Sequence, residues 1–600
     1  MVSLREQTSV KVTPGSHHLH LWLLVIWTVL GLVLRFANLA GKTPWTDEFA
    51  TIVFSLGNRF ATVPLDQVVT AETLLQPLYP RPGANLGDVL SALFMESNHP
   101  PIYFLLSHFW LKLFSNPTEI TSLWATRSLA AFLGTVSIPA TFGLAWLAFR
   151  SRVVAQIAAA LMATSPFAIY LAQEARHYTL PILWIIGSLG CLMIAARAVR
   201  DRLLLPIWVC WVWIGINALG IATHYFFAFT LFAEAIVIAC LGLIQSWRED
   251  GRWHPSTHWR RIWIVAGGTL ISCLVWFPVL QNIQEGELTR WIYQGDRNGL
   301  AWVEPIFQAI AGWISMLYLL PIQSSSEFLS LISGIGLALL TLWTLPKLIS
   351  GLQVQALHRD TRLAISVLGC FIVSAIILFF SVTYFFEADL TGAFRYNFVY
   401  FPAVIVLIGA ALASGWDVAK QIAQSPATHV PLPLLRLLRV CSRKTIVLLG
   451  LLSLLGGLTV VTNLSYQKVH RPDIVAQAIQ ADFQANSPID TLVAIPYRSH
   501  GQISRLMGIA WNLRSAPPEI DQSNLQFFLA QDTQRNSRSA IENLSAVIRA
   551  SAKPLHLWLL NFHEVEQNLL DKMLQKNRCT LEEKFPSVDG FRYRLYRCRR

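Results

Sequence analysis

At 600 residues, 54% hydrophobic and only 14% charged, with a mean hydropathy of +0.46, the chain does not read as a soluble globular protein. Repeated apolar runs of about 20 residues, each able to cross a hydrocarbon core of ~30 Å, make it a polytopic α-helical membrane protein with the lipid bilayer as its solvent. The +12 formal charge fits basic loops that hold an orientation, so no nucleic-acid partner is read from it.

Taken in order, residues 1–18 form a polar tail that the charge pattern places inside. The expected spans are 19–39, 128–149, 153–171, 179–196, 205–222, 226–244, 262–280, 326–349, 363–386, 397–415 and 445–463, eleven in all. Many of the 22 tryptophans stand at the ends of these runs, as interfacial belts require. Two further apolar stretches, 101–114 and 302–320, are kept on the outer surface. With 101–114 not crossing, basic clusters such as Arg197/Arg200/Arg202 and Arg248/Arg252/Arg260/Arg261 all fall inside.

That topology exports 40–127, 172–178, 281–325 and 387–396, together with everything after 464. The segment 464–600 reads as a soluble α/β domain with a core of its own. Strand-like DTLVAIPY (490–497) and PLHLWLLNF (554–562) alternate with helical stretches 501–514 and 538–551. FRYRLYRC (591–598) resembles an edge strand. A hairpin of LEEKF (581–585) with that strand brings Cys579 and Cys598 together for a disulfide in an oxidising compartment.

Ionisable residues gather beside the outer ends of the spans. Asp47 and Glu48 follow the first run in GKTPWTDEFA. Glu96 and His99 lie in ESNHPPIYF, Glu174, Arg176, His177 and Tyr178 in SPFAIYLAQEARHY, His224 and Tyr225 after the fifth run, and Arg395 and Tyr396 in GAFRYNFVYFP. Adjacent carboxylates beside a membrane raise each other's pKa and lose hydration, so such a pair holds a cation, grips a hydroxyl or takes a proton, unless it merely caps a helix facing solvent.

Four of these elements in this order, the carboxylate pair after the first run, HPP, SP...QEARxY after the third run and the Arg395-Tyr396 pair, resemble the GT-C glycosyltransferases, nearest to the family 39 group of protein O-mannosyltransferases and the related bacterial aminoarabinose transferases. The resemblance covers roughly residues 19–463. It implies an inverting transfer of a sugar from a polyprenyl-phosphate donor to a hydroxyl acceptor, at the outer face of the plasma membrane, catalysed within the outer loop 40–127. Asp47 is implied as the base and Glu48 as a group orienting acceptor or sugar hydroxyls. Arg395, and after it His99, is implied as a cation for the departing phosphate, with Glu174, Arg176, Tyr178, His224 and Tyr396 as further substrate-binding residues. Where the aminoarabinose transferases carry lysine before the paired prolines this chain has His99, which is charged only if its pKa is raised. No metal ligand set and no other cofactor are implied.

The rival class is a polytopic lipid or solute transporter. A transporter would place its polar residues at mid-span, on broken helices from two related halves. In this sequence they cluster at one face and no paired halves are visible, which favours the enzyme.

Overall fold

The computed structural model describes residues 15–114, 116–248, 257–281, 290–293, 299–323, 326–424, 443–486, 489–514, 524–532 and 538–599. Among the described residues nine helices are long and apolar enough to cross a membrane, and the chain is a multi-pass membrane protein. The first is α1 (Gly15–Phe36). The segment that follows folds into α2 (Thr46–Ser55), α3 (Ala71–Leu75), α4 (Leu86–Glu96) and α5 (Ile102–Lys112). With 11 residues, α5 is too short to span a bilayer, in keeping with its expected place at the surface.

Next come α6 (Leu123–Phe149), then α7 (Arg152–Thr164) and α8 (Pro166–Ala172), which form one apolar stretch bent by 54°. Pro166 opens α8, where its missing N–H costs nothing, and the Ser165 hydroxyl accepts from the Ala168 N–H. The bend and the short second arm deliver the non-helical segment 173–178 to the end of the bundle. The remaining membrane-region helices are α9 (Thr179–Arg200), α10 (Ile207–Ile221), α11 (Phe227–Arg248), α12 (Arg260–Leu274), α13 (Phe277–Gln281), α14 (Glu304–Leu317), α15 (Glu327–Gln355), α16 (Arg359–Phe385), α17 (Phe401–Gln424) and α18 (Arg443–Val461).

The expected spans all coincide with helices, but their lengths divide differently. The stretch 299–317, expected at the surface, is apolar enough to cross, whereas α10 and the apolar part of α17, Phe401–Trp416, are shorter than a full span.

Beyond α18 lie α19 (Pro472–Asn486), α20 (His500–Arg514), α21 (Arg538–Ala550) and α22 (Gln567–Lys576) around a six-stranded sheet. Its strands are β1 (Val68–Val69), β2 (Asp490–Tyr497), β3 (Leu525–Gln531), β4 (Leu555–Leu560), β5 (Cys579–Lys584) and β6 (Tyr593–Cys598), in the order β1-β3-β2-β4-β6-β5. β3, β2 and β4 are parallel, and the others pair antiparallel.

Two expectations need correction. First, β6 is not an edge strand: it lies between β4 and β5, so its alternating large residues Tyr593, Leu595 and Tyr596 are buried. Second, the C-terminal segment closes one core of its own, with Leu492, Phe528, Leu544 and Leu557 in it, but shares the core on the other face of its sheet. β1 comes from the segment after α1, with Val68 opposite Phe528 and Val69 opposite Phe527. One apolar core joins Phe49, Ile52, Phe54 and Leu74 from that segment to Val475, Val493, Met507 and Phe527 from the C-terminal one. The unit around this sheet is therefore built from two stretches of the chain, the one after α1 and the C-terminal one. Cys579 and Cys598 face each other across β5 and β6 and are bonded as a disulfide.

Candidate functional site

α2 begins just after the turn that ends α1. Its first turn carries Asp47 and Glu48, where exposed N–H groups and the helix dipole favour negative charge. The Trp45 N–H donates to Glu48 Oε2 at 3.3 Å, which closes the helix start. Successive residues on a helix point about 100° apart, so these neighbouring carboxylates enter different surroundings.

Glu48 faces inward and is fully buried. Arg127 grips it with two prongs, Nε to Oε1 at 2.7 Å and Nη2 to Oε2 at 2.8 Å. The Ala175 N–H donates to Oε1 at 2.8 Å and the Lys468 ammonium lies 3.3 Å from Oε2. Burial alone would raise the pKa of this carboxyl, but Arg127, Lys468 and these hydrogen bonds outweigh it and hold it down to about 2. Arg127 also donates to the carbonyls of Leu39 and Lys42, so one guanidinium pins the end of α1 to the start of α2.

Asp47 faces outward, with a third of its side chain exposed. Arg176 Nη2 lies 3.5 Å from Asp47 Oδ2, and Nη1 donates to the Asp47 carbonyl and to Thr51 Oγ1, both at 3.2 Å. Partial burial pushes the Asp47 pKa up, yet Arg176 and Arg395 prevail and keep it below the ordinary aspartate value. Arg395 is buried, with its guanidinium 5.1 Å from the Trp45 ring centre and 5.4 Å from that of Tyr396.

Arg176 Nη2 also donates to His99 Nε2 at 3.0 Å, while His99 Nδ1 bonds Ser97 Oγ at 2.9 Å. A guanidinium only donates, so His99 Nε2 must carry a lone pair and the ring is neutral. Burial, followed by the Arg176 charge, pushes its pKa down to about 3 against the opposing pull of Asp47. His99 is thus held neutral in this arrangement and would serve as a cation for phosphate only on gaining a proton. His224 is neutral for the same first reason, burial.

Tyr178, His224, Tyr396 and Phe398 form an aromatic wall beside these charges, with His224 5.9 Å from Tyr178 and 5.0 Å from Phe398. His177 packs behind it, 4.4 Å from His224 and 5.6 Å from His99, with neither ring nitrogen hydrogen-bonded among the described residues. Glu174 points away from Arg176: its Oε1 accepts from Lys468 at 3.0 Å, and it is 2% exposed. The short non-helical segment thus sends its acid and its base to opposite sides.

The structure brings together all nine residues named from the sequence: Asp47, Glu48, His99, Glu174, Arg176, Tyr178, His224, Arg395 and Tyr396. It adds Arg127, Lys468, His470 and Lys42. His470 hydrogen-bonds Thr46 through Nδ1. Lys42 donates to the Tyr466 carbonyl at 3.2 Å, and burial beside Lys468 lowers its pKa to about 7. Arg127 had a sequence signal, a lone arginine at the head of an apolar run. Lys468 and His470 had none, because only the fold brings the segment after α18 back to α2.

The sequence matches no protein-family profile and no curated protein. Solved structures do match. ArnT from Cupriavidus metallidurans in the apo state is 15% identical over 98% of each chain, with a TM-score of 0.50. ArnT bound to undecaprenyl phosphate is 14% identical over 98% of each chain, with a TM-score of 0.47. The oligosaccharyltransferase AglB from Archaeoglobus fulgidus, solved with an inhibitory peptide and a dolichol-phosphate, is 13% identical over 97% of this chain and 74% of its own, with a TM-score of 0.45. At such identity it is the architecture alone that is shared, and the apo ArnT match carries it: this chain has a fold similar to that of ArnT.

Proposed function

We propose that the chain is an inverting membrane glycosyltransferase that moves a sugar from a polyprenyl-phosphate donor to a hydroxyl acceptor at the outer face of the plasma membrane. One observation carries this reading. Of the three carboxylates gathered at the site, Glu48 is 0% exposed and Glu174 2%, whereas the Asp47 side chain is 33% exposed and flanked by two guanidinium groups. Of the three, Asp47 is the carboxylate that faces the open side.

The chemistry follows from that placement. The acceptor hydroxyl donates its proton to the Asp47 carboxylate while its oxygen forms the new bond to the anomeric carbon. The bond from that carbon to the phosphate oxygen breaks with its electron pair, and polyprenyl phosphate leaves with one more negative charge. Attack opposite the leaving group inverts the centre. Arg395 and Arg176 stabilise the growing phosphate charge in a half-dry site where fixed cations act strongly.

Those same guanidinium groups depress the pKa of Asp47, which would weaken it as a base. A phosphate drawn to them offsets their effect on Asp47, so the carboxylate gains basicity when the donor is bound. Glu48 then acts as a positioning residue: with Arg127 it fixes the first turn of α2, and with it the direction of Asp47. Tyr178, His224 and Tyr396 supply ring faces for the sugar. Lipid-linked glycans and glycolipids compared in cells with and without the protein test this reading. Accumulation of one lipid-linked sugar and loss of one glycosylated product are expected, and unchanged profiles of both would contradict it.

A further inference from the structure

The bend between α7 and α8 strands two backbone carbonyls inside the bundle. The last ladder bond of α7 runs from the Ser165 N–H to the Leu161 carbonyl at 2.8 Å. The carbonyls of Met162 and Ala163 lie just beyond it. Pro166 has no N–H for the first, and the 54° bend ends the ladder before the second. Within an apolar bundle such groups must find donors in the protein itself.

Arg35, fully buried in the last turn of α1, supplies both. Its Nη2 donates to the Met162 carbonyl at 2.8 Å, and Nη1 to that of Ala163 at 3.0 Å and of Gly31 at 3.0 Å. A buried charge is an expensive way to fill space in a membrane helix, and two glycines leave room for this one. A Cβ added at Gly31 would stand 2.9 Å from Arg35 Nη1, and one at Gly134 3.2 Å from Nε.

The far end of α8 is tied to the same helix. Gln173, its C-cap, donates through Nε2 to the carbonyls of Ala37 at 2.9 Å and Leu34 at 3.2 Å. Directly after this second tie come the Ala175 N–H, which binds Glu48, and Arg176, which binds the Asp47 carbonyl and Thr51. We propose that Arg35 and Gln173 are positioning residues: by clamping α8 to the end of α1 at both its ends, they set where Ala175 and Arg176 meet the first turn of α2. Their effect on turnover rests on the transferase reading, whereas their hold on residues 173–178 does not.

Backbone hydrogen exchange of the purified full-length protein, followed by mass spectrometry, reads that hold without any substrate. In Arg35→Met and in Gln173→Leu, peptides covering 173–178 should exchange about tenfold faster than in wild type, with β2 unchanged. Arg35→Lys keeps a donor for one carbonyl and should lie between. Turnover per folded molecule, measured with polyprenyl-phosphate-linked sugars, should fall about tenfold in the same order. Adding Pro166→Ala to Arg35→Met returns an N–H to the Met162 carbonyl, so the double variant should regain unfolding temperature. It should not regain turnover, because a straightened α7–α8 carries 173–178 away from α2. Gln173→Leu leaves Arg35 in place and decides the matter alone where Arg35→Met does not fold. Wild-type exchange over 173–178 in the folded variants, or turnover that returns together with stability in the double variant, would overturn the proposal. Faster exchange over 173–178 in the variants of a protein that transfers from no donor would uphold the clamp and overturn the transferase reading alone.

Discussion

Replacing Glu48 by glutamine tests whether it is a substrate-facing acid or the buried anchor of α2. The change removes the charge that pairs with Arg127 and leaves Arg127 and Lys468 facing one uncharged amide in a buried position. Breaking a buried pair from one side typically costs ~3–5 kcal/mol. The carboxyl's own titration gives a similar size, since a fall from 4.5 to about 2 corresponds to roughly 3 kcal/mol at 1.36 kcal/mol per pH unit. Because the pKa is depressed on folding, that stabilisation is fully present above pH 4.5 and is lost as the pH falls from there through 2. Thermal unfolding of detergent-purified protein at neutral pH should therefore show a clear drop for Glu48→Gln and for Arg127→Met. The double variant Glu48→Met with Arg127→Met should lose less than the two single changes added together, because it leaves neither partner buried alone. Donor hydrolysis or transfer should fall only as far as the folded fraction and the placement of α2 allow. A Glu48→Gln protein that unfolds at the wild-type temperature yet has lost transfer would refute the anchoring role and restore the acid to the substrate.

The other expectations concern charge, packing and sidedness. Arg395→Ala and Arg395→Lys should both raise the donor concentration needed for half-maximal rate, lysine less than alanine, because it keeps charge without the planar fork; an unchanged donor dependence in both would remove Arg395 from the phosphate. His177→Phe keeps a flat ring among His99, Tyr103, Tyr178 and His224 and deletes two buried unpaired nitrogens, so it should raise the unfolding temperature. A lower unfolding temperature would mean that those nitrogens are paired in the working protein. For topology, Gln173 is too buried to report on sidedness, whereas Ala61 and Arg202 are exposed. A cysteine at 61 should react with an impermeant thiol reagent added outside and one at 202 should not, and the reverse pattern would invert the assignment.

Much of the bundle was legible because crossing a bilayer imposes long apolar runs, and the ionisable residues stood out against them. The short α5 was legible for the same reason: an 11-residue helix cannot reach across. What the sequence concealed depends on distant pairing. LQFFLAQ reads as any apolar stretch until β2 and β1 pair with it as β3, and FRYRLYRC looks like an edge until β5 covers its open side. Asp47 and Glu48 are chemically near-equal neighbours in the sequence. Only the direction each takes from α2 separates them, one toward Arg127 and Lys468 and the other toward the open side. The charge state of His99 depends on Arg176 and on burial, neither of which its local motif records.

The most direct test of the central claim is release of polyprenyl phosphate from a panel of glycosylated polyprenyl-phosphate donors, with purified wild type and Asp47→Asn side by side. The substitution is nearly isosteric and keeps the Arg176 bond to the carbonyl of residue 47, so the variant should fold, unfolding somewhat below the wild-type temperature because buried Arg176 loses its carboxylate. Wild type should consume one donor and release the lipid phosphate only as the sugar appears on an acceptor, and Asp47→Asn should be slower on the order of 10²-fold or more, as for loss of a general base. Wild-type rates from a well-folded Asp47→Asn protein, or no donor consumed by wild type across the panel, would contradict the account.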